Sequence, residues 1–451
     1  MPELLFKGKE FVYNHHLTVP YRPLEIDAKK SIGKPSLNGN LIIHGDNLHA
    51  LKALLPLYAG KVDCIFIDPP YNTGNEGWNY NDNVNSPMMK EWLSSNPVNS
   101  EDMLRHDKWC SMMYPRLKLL QELLSDEGSF WMTLDDNEVH HARCILDEVF
   151  GEENFIAELV WKSRKSEDTR ALSGISTDHE YVLSYAKGEG FRLAGVGIDE
   201  SKFSNPDGDP RGPWRSADMT GLASAEQRPN LHYSIRDPGS KRSYPPPERG
   251  WRFEKEVMDA KIKEKRVLWP TEPSGRPRQK LFLRELRRNT KNVTSVLDFV
   301  STGEGSSEID EIFGRREFDF PKPSSLIRFI VEQASTPTSV ILDSFAGSGT
   351  TGHAVLAANK SDGGGRQFIL VECEDYADKL TAERVRRVIK GYKFEGTQRE
   401  ELLRESVTYS TLKNSEKLMK EVEAVENLEG HRFDGIKKEV KDGELIVTGE
   451  K

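Results

Sequence analysis

Residues 64–72 run Cys64-Ile65-Phe66-Ile67-Asp68-Pro69-Pro70-Tyr71-Asn72, an apolar stretch that stops at an acid, two prolines and an aromatic. The C-I-F-I run suits a buried strand. Pro69 and Pro70 have no N–H to give to a sheet ladder, so the strand ends at Asp68. A carboxylate and a phenol are thereby fixed at a strand end.

Working outward, Asn40 to Asn47 reads as a strand and turn, and a helix follows carrying Leu48, Leu51, Leu54 and Leu55. Residues Gly74 to Asn99 are rich in Asn, Gly, Ser and Pro, the composition of a long mobile loop beside a site. Pro115 fits the first turn of a helix through Leu117, Leu120 and Leu124 that stops near Gly128. A strand over Ser129 to Leu134 and a helix over Val139 to Phe150, ended by Gly151, come next. Alternating strands and helices predict a parallel sheet with covering helices.

From Ser163 to about Val300 the periodicity lapses, with turn-rich pieces such as Asn205-Pro206-Asp207-Gly208 and Tyr244-Pro245-Pro246-Pro247. This predicts an inserted domain. The α/β pattern returns after Pro323, with a helix near Leu326 to Ala334, a strand Ser339 to Asp343, a glycine loop, a second helix, and a strand Gln367 to Glu372. The expected division is therefore an N-terminal extension (1–39), a first half of the α/β domain (40–162), the inserted domain (163–300), a second half (301–390) and a C-terminal extension (391–451). The first of these is expected to add few core residues. In the last, an amphipathic helix is expected near Thr411 to Leu428 and a hairpin over Lys437 to Val447.

Composition bounds the functional class. The chain of 451 residues is 36% hydrophobic and 30% charged, with a mean hydropathy of -0.62 and no membrane-length apolar span. MPELLFKGKEF shows no leader pattern, and the 4 cysteines form no CxxC pair, so a cytoplasmic chain without disulfides, metal or membrane attachment is the expectation. The net charge of -9 is unevenly spread. Lys241 to Val293 holds 16 Lys+Arg against 7 Asp+Glu, a local +9 that leaves -18 for the rest. Tyr244, Trp251, Phe253 and Trp269 lie in that basic island, and interleaved cations and aromatics suit phosphate contacts and base stacking. The plainer alternative is a solvated basic face over a few core aromatics.

The glycine loop is the second chemical clue. Gly347, Gly349 and Gly352 make G-x-G-x-x-G between a strand and a helix, and Glu372 closes the following strand, where an acid can hold ribose hydroxyls. A helix N-terminus there presents unpaired N–H groups to an anion. No lysine follows Gly349, which excludes a P-loop. A dinucleotide and S-adenosylmethionine fit this loop equally well.

D-P-P-Y separates them. The amine of an aromatic base is a weak nucleophile because its lone pair is delocalised into the ring. Hydrogen bonds from that NH2 to the Asp68 carboxylate and the Pro69 carbonyl would localise the pair, and Tyr71 would stack on a base that has left the duplex. The proline rings hold acid and carbonyl convergent. Methylation at carbon 5 of cytosine would need a Pro-Cys nucleophile, and no Pro-Cys occurs. A nicotinamide dehydrogenase has no use for D-P-P-Y. The adjacent pairs His15-His16 and His140-His141 point different ways on a regular element and read as surface or core histidines, not metal ligands.

With these motifs in place, the sequence resembles the amino-group DNA methyltransferases in which D-P-P-Y precedes F-x-G-x-G, and most of all the Mod subunits of type III restriction-modification systems. The resemblance runs in order through Gly45-Asp46-Asn47, Asp68 to Gly74, His106-Asp107-Lys108-Trp109, Met113 to Leu117, Leu134 to Glu138, His179-Glu180-Tyr181, Asn205-Pro206-Asp207, Phe320-Pro321-Lys322-Pro323 and Phe345 to Thr351. It implies a doubly wound, Rossmann-like α/β methyltransferase fold with an inserted target-recognition domain. Asp68, Pro69, Pro70 and Tyr71 would form the catalytic loop. Phe345, Ala346, Gly347, Ser348, Gly349 and Thr350 would wrap the methionine end of S-adenosylmethionine, with Asp343, Lys322 and Pro323 nearby. Glu372 would bind the ribose and Asp46 the adenine ring. Asp at the first position of D-P-P-Y favours adenine in double-stranded DNA as target. Members of the family often form homodimers and associate with a restriction subunit carrying helicase and nuclease. An RNA or protein-glutamine methyltransferase, a dehydrogenase and a non-catalytic DNA-binding subunit are the alternatives. The recognition sequence is not legible, because base readout depends on which side chains reach groove edges.

Overall fold

The computed structural model describes residues 3–74, 104–169, 174–272, 274–286, 288–399, 403, 405–413, 436–441 and 444–449. Its contacts divide the chain into two units, Met1–Ala194 with Thr294–Lys451, and Gly195–Val293.

The first unit is built on one mixed sheet of ten strands: β1 (Leu24–Ile26), β2 (Leu41–His44), β3 (Val62–Ile67), β4 (Leu124–Leu134), β5 (Phe155–Trp161), β6 (Glu180–Ala186), β7 (Val296–Leu297), β8 (Val340–Asp343), β9 (Gln367–Glu372) and β10 (Thr408–Leu412), in the order β1-β10-β2-β9-β8-β3-β4-β6-β5-β7. The run from β10 to β4 is parallel, as the strand-helix alternation predicts. The rims are not. β1 pairs antiparallel with β10, and β6 runs antiparallel between β4 and β5.

The continuous apolar strands are explained by two cores, one on each face. In β3, Ile65 and Ile67 join one core while Cys64 and Phe66 join the other; in β9, Ile369 and Val371 oppose Phe368 and Leu370. Helices α1 (Asn47–Tyr58), α2 (Arg105–Leu123) and α3 (Val139–Phe150) cover the first face. Helices α4 (Thr302–Phe313), α5 (Ser324–Ala334), α6 (Thr350–Asp362) and α7 (Glu383–Lys390) contribute to the second. Each fully buried Ile or Phe contributes about 1.5–3 kcal/mol, so a polar residue anywhere in C-I-F-I would cost a core its closure.

Several expectations need correction. Pro115 sits inside α2, not in its first turn. The helix begins earlier because Trp109, Met113, Leu117 and Leu120, all fully buried, pin both sides of the proline, offsetting an interior-proline penalty of about 3 kcal/mol. The N-terminal segment is not merely a polar lead: Val12, Val19 and Leu24 are buried in the core, and β1 forms a sheet edge. Thr411 and Leu412 belong to β10 and not to a tail helix, because T-Y-S-T-L pairs in register with Leu41 to His44. Residues 414–428 of that expected helix, and the Gly74 to Asn99 loop beyond Gly74, lie outside the described residues. Ile436–Lys441 and Glu444–Gly449 pair antiparallel.

The second unit is narrower than the 163–300 segment expected from composition, since β6 and β7 from that segment are strands of the large sheet. It holds a three-stranded antiparallel sheet over Trp214–Ala217, Arg278–Phe282 and Val267–Leu268, a helix Lys255–Lys263, and a small core of Met219, Ile235, Tyr244, Trp251, Met258 and Val267. The island's aromatics are therefore structural. Tyr244 and Trp251 are buried, and Phe253 and Trp269 pack against them. Lys280 is drawn inside by Asp207 and Asp209, whereas Lys241, Arg249, Arg252, Lys263 and Arg276 are exposed.

Candidate active site

The glycine loop and D-P-P-Y come from distant parts of the chain but from neighbouring strands. β8 pairs with β3 through Ile341 and Cys64, and through Leu342 and Ile65, so Asp343 ends one strand beside the end of the other, where Asp68 follows Ile67. From β8 the sheet continues to β9 on one side, and from β3 to β4 on the other. This is a switch point, where open α/β sheets hold ligands outside the carboxyl ends of their strands.

Asp68 is held by groups from two other elements. Its Oδ1 accepts the Thr133 hydroxyl at 2.6 Å from the end of β4, and lies 2.9 Å from Lys322 Nζ. The same ammonium stands 3.5 Å from Glu180 Oε2 at the start of β6 and 4.7 Å from the centroid of the Tyr71 ring. Tyr71 in turn donates its phenol to Glu180 Oε2 at 2.7 Å. Burial favours the neutral amine of Lys322, but Asp68 and Glu180 outweigh it and raise its pKa, so the group is an ammonium. Burial first, and then the two carboxylates, push the Tyr71 phenol well above its ordinary value. The loop's backbone is tied as well: the Trp109 indole donates to the Pro70 carbonyl at 2.7 Å.

Asn72 closes the turn at φ 60, a left-handed conformation that asparagine tolerates. Its amide donates to Glu138, a fully buried carboxylate that also meets His106 Nδ1 at 2.6 Å and His141 Nδ1 at 2.9 Å. His106, Glu138 and His141 are a group whose atoms could ligate a metal ion, which the adjacent-pair reading of His140-His141 overlooks. Their contacts in this structure are hydrogen bonds. Cys64 is fully buried, which raises its thiol pKa and makes it inert, as expected of a strand cysteine.

On the other side of the switch point the glycine loop is strapped from all directions. Asp343 Oδ1 accepts the Phe345 amide at 2.9 Å, and its other oxygen takes the Thr351 hydroxyl. Burial nevertheless pushes the Asp343 carboxyl up to about 7. Glu372 accepts the Gly347, Cys373 and Glu374 amides at 2.7, 2.8 and 3.0 Å, while burial raises its pKa. Gly347 and Gly349 have φ 50 and 80. A Cβ at Gly349 would lie 2.7 Å from the Thr381 carbonyl, and one at Gly352 3.0 Å from Val385 and 3.1 Å from Leu370. The first two glycines thus shape the turn and the third lets α6 settle on the sheet. Ser348 and Thr350 are held by the fully buried Arg384 at 3.0 and 2.8 Å, and Arg384 pairs with Glu308 at 2.8 Å. Pro323 caps α5, and the Lys322 carbonyl accepts from Thr350 at 3.2 Å. Ala346 donates to the Val371 carbonyl at 3.0 Å, and the Phe345 ring packs on the first core.

Asp46 caps α1, accepting the His49 amide at 3.1 Å and meeting its ring at 3.0 Å. Burial would raise its pKa, but His49 and Arg116 bring it down to about 2, so it is an anion. The expected residues thus gather around the neighbouring ends of β2, β9, β8 and β3, and Lys322 reaches both motifs, its carbonyl on Thr350 of the glycine loop and its ammonium on Asp68. Sequence reasoning gave no role to Thr133, Glu180, Trp109, Glu138 or Arg384. All but Thr133 and Arg384 lie in blocks that carry the resemblance, which was the available signal.

A family model described as DNA methylase, N6_N4_Mtase, matches residues 62–383. Among curated relatives, the type III restriction-modification enzyme StyLTI Mod subunit of Salmonella typhimurium is 33% identical over 77% of this chain and 57% of its own length. The EcoP15I Mod subunit of Escherichia coli is 27% identical over 74% of this chain and 58% of its own. The type II methyltransferase M.KpnI of Klebsiella pneumoniae is 32% identical over 77% of this chain and 84% of its own. The chain spans less than two thirds of the length of those two Mod subunits. With a family match that takes in both D-P-P-Y and the glycine loop, this chain belongs to the N6/N4 DNA methylase family.

Proposed function

We propose that the protein transfers a methyl group from S-adenosylmethionine to the exocyclic amine of adenine in a specific sequence of double-stranded DNA, as the modification subunit of a type III restriction-modification system. The observation that carries the reading is Asp68, oriented by Thr133 and Lys322, at a strand end adjacent to Asp343 and the glycine loop.

The loop residues fit the cofactor. Gly347 and Gly349 take the left-handed conformations that turn the backbone at the strand end, the N-terminus of α6 suits its carboxylate, and Glu372 and the anionic Asp46 lie at neighbouring strand ends for ribose and adenine. When bound, S-adenosylmethionine supplies an electrophilic methyl. This chain's residues do the rest. Asp68 and the Pro69 carbonyl would accept hydrogen bonds from the two N–H groups of the target amine and localise its lone pair. Tyr71, fixed through its hydroxyl by Glu180, offers its ring to a flipped base. Asp68 is placed to accept the proton released as the new bond forms.

The unit Gly195–Val293 is the proposed target-recognition domain, its exposed Lys and Arg serving phosphates. Homodimerisation and a restriction partner belong to the same proposal. Among the described residues no helix is long and apolar enough to cross a membrane.

The test is methyl transfer from labelled S-adenosylmethionine to unmethylated genomic DNA, followed by single-molecule sequencing, with Asp68→Ala as control. Label at adenines of one short motif, lost in Asp68→Ala while cofactor binding persists, is expected. Absence of label in DNA with retained cofactor binding would redirect the assignment to RNA or protein, and absence of cofactor binding would sink it.

A further inference from the structure

The ammonium of Lys322 lies where amine chemistry requires a different nitrogen. A target amine must donate a hydrogen to Asp68 while its ring lies on Tyr71. Lys322 already presents a nitrogen with N–H donors 2.9 Å from Asp68 and 4.7 Å from the Tyr71 ring centroid. The side chain is only 11% exposed, so this is not a surface lysine resting on a convenient acid. It is also anchored at its base, where its carbonyl takes the Thr350 hydroxyl and Pro323 starts α5, so only the flexible four-carbon stem is free to move.

A second carboxylate stands within reach. Glu180 Oε2, 3.5 Å from the ammonium, accepts the Tyr71 phenol, so one oxygen serves both the ring and the lysine. We propose that Lys322 is a positioning residue that fills the seat of the target amine while no base is bound, and that it shifts onto Glu180 when the base enters. The shift keeps the cation paired, which makes displacement cheaper than separating the largely buried ammonium from both carboxylates and leaving the partly buried Asp68 and Glu180 without it. It also keeps the site chemically quiet. An ammonium has no lone pair, so the lysine does not compete with the base for the methyl group. The inference rests on the methyltransferase reading above, and it departs from the placement of Lys322 among cofactor ligands.

Glu180 and Lys322 should then act on DNA with opposite signs. With a duplex carrying the mapped target sequence, Lys322→Met vacates the seat and lowers the KM for DNA about three- to tenfold. Glu180→Gln removes the charge that receives the lysine and raises that KM by a similar factor, while Gln still accepts the phenol. The double variant follows Lys322→Met. Lys322→Arg, which gives Asp68 a two-pronged partner and keeps the site charged should the methionine variant fold poorly, raises the KM. Binding of S-adenosylhomocysteine by calorimetry stays unchanged in all four. Shifts of the same sign in Lys322→Met and Glu180→Gln would mark a strut and overturn the proposal, as would loss of S-adenosylhomocysteine binding in Lys322→Met, which would make Lys322 a cofactor ligand. Failure of the wild-type protein to methylate DNA is a separate result that removes the underlying reading.

Discussion

Gly349 and Gly363 offer a controlled pair at the two ends of one helix. Both cap α6 in the left-handed region, at φ 80 and 72. They differ in what a side chain would meet: the Thr381 carbonyl at 2.7 Å for Gly349, and nothing within 4 Å for Gly363. Alanine at either position carries a left-handed penalty of about 1–2 kcal/mol. At Gly349 the methyl also strikes a backbone oxygen that cannot rotate away, and the Thr381 hydroxyl holds the Gly347 carbonyl at 2.6 Å, so the contact is braced. Overpacking of that kind adds about 1–3 kcal/mol. Gly363→Ala is thus expected to lose about 1–2 kcal/mol and Gly349→Ala about 2–5 kcal/mol, from urea unfolding followed by the fluorescence of the buried Trp109 and Trp161. S-adenosylhomocysteine binding supplies the functional half of the test. It should weaken at least about tenfold in Gly349→Ala, the equivalent of 1.4 kcal/mol, and be unaltered in Gly363→Ala. Equal destabilisation by the two substitutions would show that Thr381 yields, and with it would go the claim that the glycines are required by close approach of backbone.

Asp343 sets a pH dependence whose sign is opposite to that of a salt-bridged acid. Its folded carboxyl is raised from 3.8 to about 7 by burial, so its stabilising effect is complete below about pH 4 and is lost as pH rises to about 7, for a total of at most about 4 kcal/mol. Asp343→Asn should therefore gain more stability over wild type at pH 8 than at pH 5 in guanidinium unfolding; an equal gain at both would refute the shift. Arg384→Met strands Glu308, which is 24% exposed on its side chain, so the cost should fall at the low end of a broken buried pair, about 3 kcal/mol. Glu308→Gln in the same chain should recover part of that loss, and no recovery would mean that the Ser348 and Thr350 contacts of Arg384 carry it.

The central strands were legible because burial on both faces leaves little choice of residue. C-I-F-I, V-I-L-D and Q-F-I-L-V-E each feed two cores, and no helix of that length would be apolar all round. The rims were not legible for the converse reason. T-Y-S-T-L of β10 and the three residues of β1 gain their strand character from a neighbour's register, and E-Y-V-L-S-Y-A of β6 sits inside a segment whose composition reads as irregular. At the site, Asp68, Tyr71 and the glycines were visible because prolines and glycines punctuate the chain where the backbone must turn. Thr133 and Glu180 carry no such mark. They matter only because β4 and β6 run antiparallel beside each other, with Leu134 opposite Tyr181, which brings the end of one and the start of the other to the D-P-P-Y loop.

That dependence on register explains how a site made from residues so far apart in the chain can be built at all. Sliding β8 along β3 by one residue would turn every side chain to the wrong core, which burial forbids. A slide of two residues preserves the faces and would carry Asp343 about 6.6 Å from its place beside Asp68. Apolar packing alone does not forbid that slip, but Asp63 does. Its Oδ2 accepts the Val340 amide at 2.9 Å and its Oδ1 the Ser125 hydroxyl at 3.2 Å, so one carboxylate near the start of β3 pins the first residues of β8 and β4 together. The polar residue that interrupts V-D-C-I-F-I is therefore no defect in a buried strand. It fixes the start of β8 against β3, and the rise per residue then carries Asp343 to the other end beside Asp68; on β4 the register shifts between the partners of Val62 and Cys64, and the regular pairing from Ser129 onward brings Thr133 to the same end.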